Sequence, residues 1–268
     1  MKLILITGNH PRHFYLAKKL YKKFDNIFWI IEKREKFIPK TNIKNLKLKK
    51  LYKKHFIKRN NSENKFFGDY KKIKSLKFYK KNYIDRKKFQ ISIKSLLKDE
   101  AADLLLSFGC SKIDNLILKK RNIKKHLNIH GGLSPNFRGS ISNFWPTYLL
   151  EPQLTGYTLH KLSDSIDGGE IIFQTSVKLN KNDGIHDSNC RALKTFINYF
   201  VKKINIKSLR NLKGIKQKNF GKIWQKKDWD PKHLDLIYNK YNDKIINYCL
   251  KNKFKLKKPN LINVLENN

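Results

Sequence analysis

The chain has 268 residues, with 60 Lys and Arg against 21 Asp and Glu, a formal net charge of +39. Hydrophobic residues make up 40% and aromatics 12%, enough to bury a core, which argues against a disordered polyelectrolyte. No apolar run approaches the length of a membrane span, the chain passes from Met1 and Lys2 straight into a short apolar run with no leader pattern, and Cys110, Cys190 and Cys249 lack CxxC spacing, so the expected setting is the reducing cytoplasm, with no metal.

Residues 2–7 (KLILIT) read as a short buried strand, and Gly8 to His13 as a turn. Residues 13–24 place Phe14, Leu16, Ala17, Leu20, Tyr21 and Phe24 at helical spacing, and residues 27–31 (IFWII) form a second buried strand. Strand, helix and strand in this order make a βαβ unit, hence a parallel sheet. Residues 35–88 read as a Lys-rich, irregular insertion or variable region. A helix over 89–98, a strand over 103–107, a helix over 112–120 and a strand over 126–129 continue the α/β pattern. A Gly/Pro loop over 131–139 precedes a helix over 142–150, and two strands over 154–162 and 169–177 flank the turn from Ser163 to Gly169. A helix spans 186–204. The expected organisation is a catalytic domain over 1–205 and a basic, mainly helical extension over 206–268, with a helix near 231–251 whose start Asp230 and Pro231 suit.

The charge is peripheral. Residues 44–88 and 176–268 each carry +15, whereas 101–175 carry only +2. Eight of the basic residues are Arg and the other 52 are Lys, and nucleic-acid recognition favours the planar, bidentate Arg. Much of the excess therefore reads as a solvated lysine surface. The nearly neutral segment is the better place to look for chemistry.

In parallel α/β sheets, sites form at the carboxyl ends of strands. The strand over 126–129 ends in Asn128 and His130, whose i, i+2 spacing points both side chains into one cleft. Asp167 follows in a Gly-rich turn. An amide, an imidazole and a carboxylate suit attack of a neutral amine on an acyl carbon. His130 can take the amine proton, Asn128 can donate to the oxyanion, and Asp167 can orient His130 and raise its basicity. Each also has an ordinary structural use, as a packed histidine, a cap or a turn former.

The run Asn128-Ile129-His130-Gly131-Gly132-Leu133-Ser134-Pro135-Asn136-Phe137-Arg138-Gly139 resembles the signature loop of the 10-formyltetrahydrofolate-dependent formyltransferases. Thr155-Gly156-Tyr157-Thr158-Leu159-His160 resembles that family's Thr-Gly-Val-Thr strand, and Ser165-Ile166-Asp167-Gly168-Gly169-Glu170-Ile171-Ile172 its Asp-x-Gly-x-Ile turn. The three motifs stand in family order over about residues 103–177. The resemblance implies a Rossmann-like α/β fold, a mostly parallel sheet flanked by helices, and catalytic roles for Asn128, His130 and Asp167. It implies a folate co-substrate held by Phe108, Gly109, Cys110, Ser111 and Ile113 and by Ser163, Asp164 and Ile166. Acceptor contacts are expected from Gly8, Asn9, Arg12 and His13, where a strand-to-helix turn offers N–H groups to phosphate, and from Arg138 and His160. The Gly8–His13 turn also reads as an ordinary capping turn, and His160 as packing.

Two departures stand out. Ser134 replaces a family Leu, and Ser140 follows Arg138-Gly139 where the enzyme acting on a UDP-linked aminoarabinose has Arg. Among family branches, the His130 loop followed by Asn143-Phe144-Trp145-Pro146 resembles most the enzymes that formylate amino sugars carried on nucleotides. Methionyl-tRNA and glycinamide ribonucleotide remain alternative acceptors. tRNA and a second copy of the chain stay open as partners. A basic RNA-associated protein that keeps the formyltransferase shell is the non-enzyme alternative.

Overall fold

The computed structural model describes residues 1–33, 38–68, 76, 78–210, 212–218, 221–252 and 256–266. β1 (Lys2–Thr7), α1 (Pro11–Tyr21) and β2 (Asn26–Lys33) form the expected βαβ unit. Pro11 opens α1, where its missing N–H and fixed φ suit the first turn.

The span 35–88 differs from the sequence reading. Residues 46–67 form one helix, α2 (Leu46–Phe67), capped by the Asn45 side chain on the Leu48 N–H. β3 (Lys80–Asp85) adds an edge strand. Residues 35–37, 69–75 and 77 of that span lie outside the described residues. α2 was hard to read because its buried stripe is largely polar: Tyr52, His55, Ser62, Glu63 and Phe67. Those polar groups are paired inside the fold. Arg12 of α1 bonds to Glu63, and the Ser62 hydroxyl donates to Asp187 at 2.5 Å.

α3 (Phe89–Leu96) and β4 (Leu104–Phe108) follow as expected. The helix expected over 112–120 is a single turn, α4 (Asn115–Leu118). A bridge between Ala102 and Ile123 draws the chain out of that turn toward β5 (His126–His130). β6 (Arg138–Gly139) follows the Gly/Pro loop. The helix expected over 142–150 divides into a 3₁₀ turn at Ser142–Phe144 and α5 (Trp145–Tyr148), ending where Leu150 takes a φ of 61°. β7 (Gly156–Lys161) and β8 (Ile171–Ser176) flank the Asp167 turn, and α6 (Ile185–Lys203) follows.

Seven strands run in the order β3-β2-β1-β4-β5-β7-β8. The first five are parallel, and β7 and β8 close the sheet antiparallel. Residues of opposite parity fill the two faces. Leu3, Leu5, Leu104, Leu106, Leu127 and Ile129 pack against α1 and α6, while Ile4, Ile6, Phe28, Ile30 and Leu105 pack against α3. Burial on both faces explains why these strands read as unbroken apolar runs.

Beyond residue 205 the chain forms α7 (Ile206–Arg210), β9 (Ile223–Trp224), α8 (His233–Asp235) and α9 (Ile245–Lys251). The helix expected near 231–251 is broken. A π turn at Leu236–Lys240 follows α8, and Asn242 and Asp243 take φ of 46° and 59°. Asp243 has another use: its carboxylate accepts from the Ile185 N–H at the start of α6 and meets Lys58 at 3.1 Å. This part of the chain pairs with the rest at several places. β9 pairs with β6, Ile215 bridges Ile171, and Asn263 bridges Phe173. Among the described residues no helix is long and apolar enough to cross a membrane.

Candidate active site

Register across the sheet assembles the site. Ser107 on β4 pairs with Asn128 on β5, and Asn128 pairs with His160 on the antiparallel β7. The three side chains form a chain of hydrogen bonds along this row. The Ser107 hydroxyl donates to Asn128 Oδ1 at 2.8 Å, which fixes the orientation of the amide. Asn128 Nδ2 then donates to His160 Nε2 at 3.0 Å. His160 can accept there because its Nδ1–H is spent on the Lys161 carbonyl at 2.8 Å, and a carbonyl can only accept. The second Asn128 N–H faces Asp167 Oδ1 at a long 3.4 Å. Asn128 is half-buried, so this loosely held N–H is available to a ligand.

His130, two residues along β5, is 6% exposed. Its Nε2–H donates to the Phe137 carbonyl at 2.7 Å, and its Nδ1 lies 3.2 Å from Asp167 Oδ2. The Phe137 bond places the neutral ring's lone pair on Nδ1, so a proton gained by His130 lands beside the carboxylate. Gly132 permits this arrangement, since a Cβ there would lie 2.2 Å from the Phe137 oxygen and 2.7 Å from His130 Nε2. Thr158 and Gln174 pin the loop further. Thr158 donates to the Gly132 carbonyl, and the Gln174 amide donates to the Ser134 carbonyl.

Asp167 stands in the left-handed region with a φ of 47°. Its Oδ2 accepts from the Gly139 N–H at 2.9 Å. Burial alone would raise its pKa, but His130, His160 and the Gly139 amide outweigh burial and bring it down to about 2. Burial is also the largest influence on His130 and holds it below its ordinary 6.5, against the pull of Asp167 and the Phe137 carbonyl. The site thus pairs a firm anion with an imidazole kept neutral and ready to take a proton.

Gly139 holds a φ of 92°, and a Cβ there would lie 2.1 Å from the Trp224 carbonyl oxygen. Gly139→Ala is therefore expected to lower stability by about 1–3 kcal/mol and to reduce turnover further by moving the N–H off Asp167. Thermal melts alongside initial rates would check this, and a variant as stable and active as the wild type would contradict it.

The two segments expected to hold the folate meet. Lys112 Nζ donates to the Asp164 carbonyl at 3.0 Å, joining the Phe108–Ile113 loop to the turn that carries Ser163, Asp164 and Ile166. Ile166 is half exposed, Cys110 is half-buried, and Gly109 takes a φ of 59°. Glu32, fully buried at the end of β2, was not found by sequence reasoning. Its carboxylate accepts from the Ser111 N–H at 2.7 Å and the Ser111 hydroxyl at 2.6 Å. A lone acid closing the apolar run IFWIIE was the only signal available.

The Gly8–His13 turn abuts the same loop. His13 is buried, its Nδ1 accepts from the His10 N–H, and its ring lies edge-on to Phe108 at 4.9 Å. Arg12, expected to meet phosphate, is engaged with Glu63, and Asn9 is half-buried. His160 and Arg138, expected at the acceptor, are 2% and 3% exposed. His160 lies behind Asn128 and orients it, while Arg138 lies beneath the Asp167 turn, its Nη1 3.2 Å from the place a Gly168 Cβ would occupy. Gln217 is a further residue sequence reasoning missed: its Nε2 donates to the carbonyls of Asp167 and Gly169 at 2.9 and 2.7 Å.

Comparison with known proteins gives a consistent picture. The family model described as formyl transferase matches residues 62–204. The bifunctional polymyxin resistance protein ArnA of Wigglesworthia glossinidia brevipalpis is 37% identical over 81 residues, 30% of this chain and 12% of that protein. The chain spans about a tenth of the length of the curated relatives it matches. Among solved structures, the formyltransferase PseJ from Anoxybacillus kamchatkensis, in complex with UDP-4,6-dideoxy-4-formamido-L-AltNAc and tetrahydrofolate, aligns with a TM-score of 0.53 at 19% identity, over 92% of this chain and 97% of that one. WlaRD, a sugar 3N-formyl transferase in the presence of dTDP and 5-N-formyl-THF, aligns with a TM-score of 0.52 at 23% identity, over 86% and 72%. At these identities the structural likeness speaks for the fold.

Proposed function

The chain belongs to the formyl transferase family, and from that premise we propose that it transfers a formyl group from 10-formyltetrahydrofolate to the primary amine of an amino sugar carried on a nucleotide. The observation that carries the reading is the meeting of Asn128, His130 and Asp167 at the carboxyl end of β5, with His130 Nδ1 3.2 Å from Asp167. PseJ and WlaRD, whose folds this chain shares, are described with nucleotide or nucleotide-sugar ligands and folates.

The amine lone pair attacks the formyl carbon of the donor. The new C–N bond forms as the carbonyl oxygen gains charge, and the loosely held Asn128 N–H turns from Asp167 to meet that oxyanion. The attacking nitrogen becomes acidic and its proton passes to His130 Nδ1, directly or through water. Asp167 steadies the imidazolium that results. Collapse of the tetrahedral carbon breaks its bond to N10 of the folate, which leaves with one proton as tetrahydrofolate. The Phe108–Ile113 loop and the Ser163–Ile166 turn, joined by Lys112, hold the donor, and Glu32 keeps Ser111 in place. The Gly8–His13 turn at the start of α1 offers main-chain N–H groups to the acceptor phosphates.

The test is an acceptor panel: purified protein, 10-formyltetrahydrofolate, and nucleotide-linked amino sugars beside methionyl-tRNA and glycinamide ribonucleotide. Tetrahydrofolate release with one of the sugars is expected. Turnover with methionyl-tRNA or glycinamide ribonucleotide alone would replace the acceptor, and turnover with none would overturn the reading.

A further inference from the structure

The Asp167 turn is gripped from the side away from His130. A non-glycine residue at φ 47° persists only where its surroundings hold it. The surroundings here come from a segment about 50 residues downstream. Only the NH₂ end of an amide can donate to two carbonyls, so Gln217 is oriented by its contacts with Asp167 and Gly169. Ile215 exchanges two main-chain hydrogen bonds with Ile171, at 2.8 and 2.9 Å, and the Gly214 N–H donates to Glu170 at 3.3 Å. Slightly further on, Trp224 accepts from the Ser140 N–H at 2.7 Å, which sets the β6 strand whose Gly139 N–H meets the Asp167 carboxylate. Both ends of Asp167, carbonyl and carboxylate, are therefore set by groups tied to Gln217 and Trp224.

We propose that Gln217 is a positioning residue for formyl transfer, holding Asp167 against His130 through the main chain of the turn. The inference rests on the role given to Asp167 above. It predicts that loss of the two Gln217 hydrogen bonds lets the carboxylate drift, with a smaller effect on donor binding, which the Phe108–Ile113 loop shares with the start of the same turn. The titratable and charged groups facing His130 are Asp167 from the β7–β8 turn, His160 from β7 and Arg138 from β6. Of these, Asp167 alone favours the protonated ring. As it drifts, His130 becomes less basic, and the acid limb of the rate profile moves to lower pH.

The experiment compares Gln217→Met, which keeps size and removes the donors, with Gln217→Lys, which restores a donor able to reach two carbonyls, each made in wild-type and Asp167→Asn backgrounds. Gln217 is only part-buried, and Gln217→Ala serves as a second donor-free variant should Met not be tolerated. Expected for Gln217→Met are a kcat lowered about tenfold, a smaller change in the KM for the formyl donor than in kcat, an acid limb at lower pH, and recovery of most of the rate with Lys. In the Asp167→Asn background Gln217→Met should cost nothing more. Wild-type kcat and acid limb in the donor-free variant would overturn the proposal, as would an equal loss in both backgrounds, which marks general loosening. If Asp167→Asn itself turns over like wild type, it is the role of Asp167 that falls.

Discussion

His130→Ala is expected to lower kcat by about 10²–10⁴-fold, the range that a positioned acid–base group supplies. The geometry sets both the size and the form of the effect. His130 is the imidazole that a proton can reach on the face of Asp167, and its tautomer is dictated by the Phe137 carbonyl. The substitution also strands that carbonyl, at about 1–3 kcal/mol. Loss of activity must therefore be separated from loss of fold. His130→Gln does this, since its amide can still donate to Phe137 but cannot accept a proton for release. Initial rates of tetrahydrofolate release, donor affinity and a thermal melt on each variant give the answer. Folded variants that bind the donor without turning over are expected. A Gln variant that turns over like wild type would remove His130 from the chemistry.

Asp167→Asn is expected to lower kcat by about 10²-fold or more, and to change two pH profiles. The Asn NH₂ can donate to His130 Nδ1 and occupy the lone pair that should take the amine proton, an error of the kind that disables a catalytic triad when its Asp becomes Asn. Residual activity should show an acid limb at lower pH, because the carboxylate that raises His130 basicity is gone while burial still lowers it. The stability profile follows from the direction of the Asp167 shift. Its folded value of about 2 lies below its ordinary 3.8, so its ionisation stabilises the native state above about pH 4. That contribution, about 2 kcal/mol, fades as the pH falls from about 4 to 2. Asp167→Asn should flatten the wild-type fall over that interval. Unfolding midpoints measured from pH 5 to pH 2 check this, and parallel curves for the two proteins would refute it.

The core strands and the central site were legible because their signals are local. Strands buried on both faces leave runs such as Leu3-Ile4-Leu5-Ile6. Asn128 and His130 share a face by i, i+2 geometry, and Asp167 announces itself in a Gly-rich turn. α2 was illegible for the opposite reason: His55, Ser62 and Glu63 occupy its buried stripe, and the lysines between them mask the helical period. The helix expected near 231–251 failed at Asn242 and Asp243, where Asp243 is drawn off to cap α6. His160 read as an acceptor contact because the motif shows position along β7 but not the partner across the sheet.

The alternation of strands and helices, the family, and Asn128, His130 and Asp167 as candidates could all be read along the chain, since each is carried by a short local motif. How those side chains are held depends on contacts across the fold. Register brings Ser107 and His160 to Asn128, α2 brings Glu63 to Arg12, and the segment after residue 205 brings Gln217 and Trp224 to the Asp167 turn. Hydrogen bonds between residues some 20 to 90 positions apart leave no periodic trace in a chain, and they exist only once the sheet has fixed which strands are neighbours.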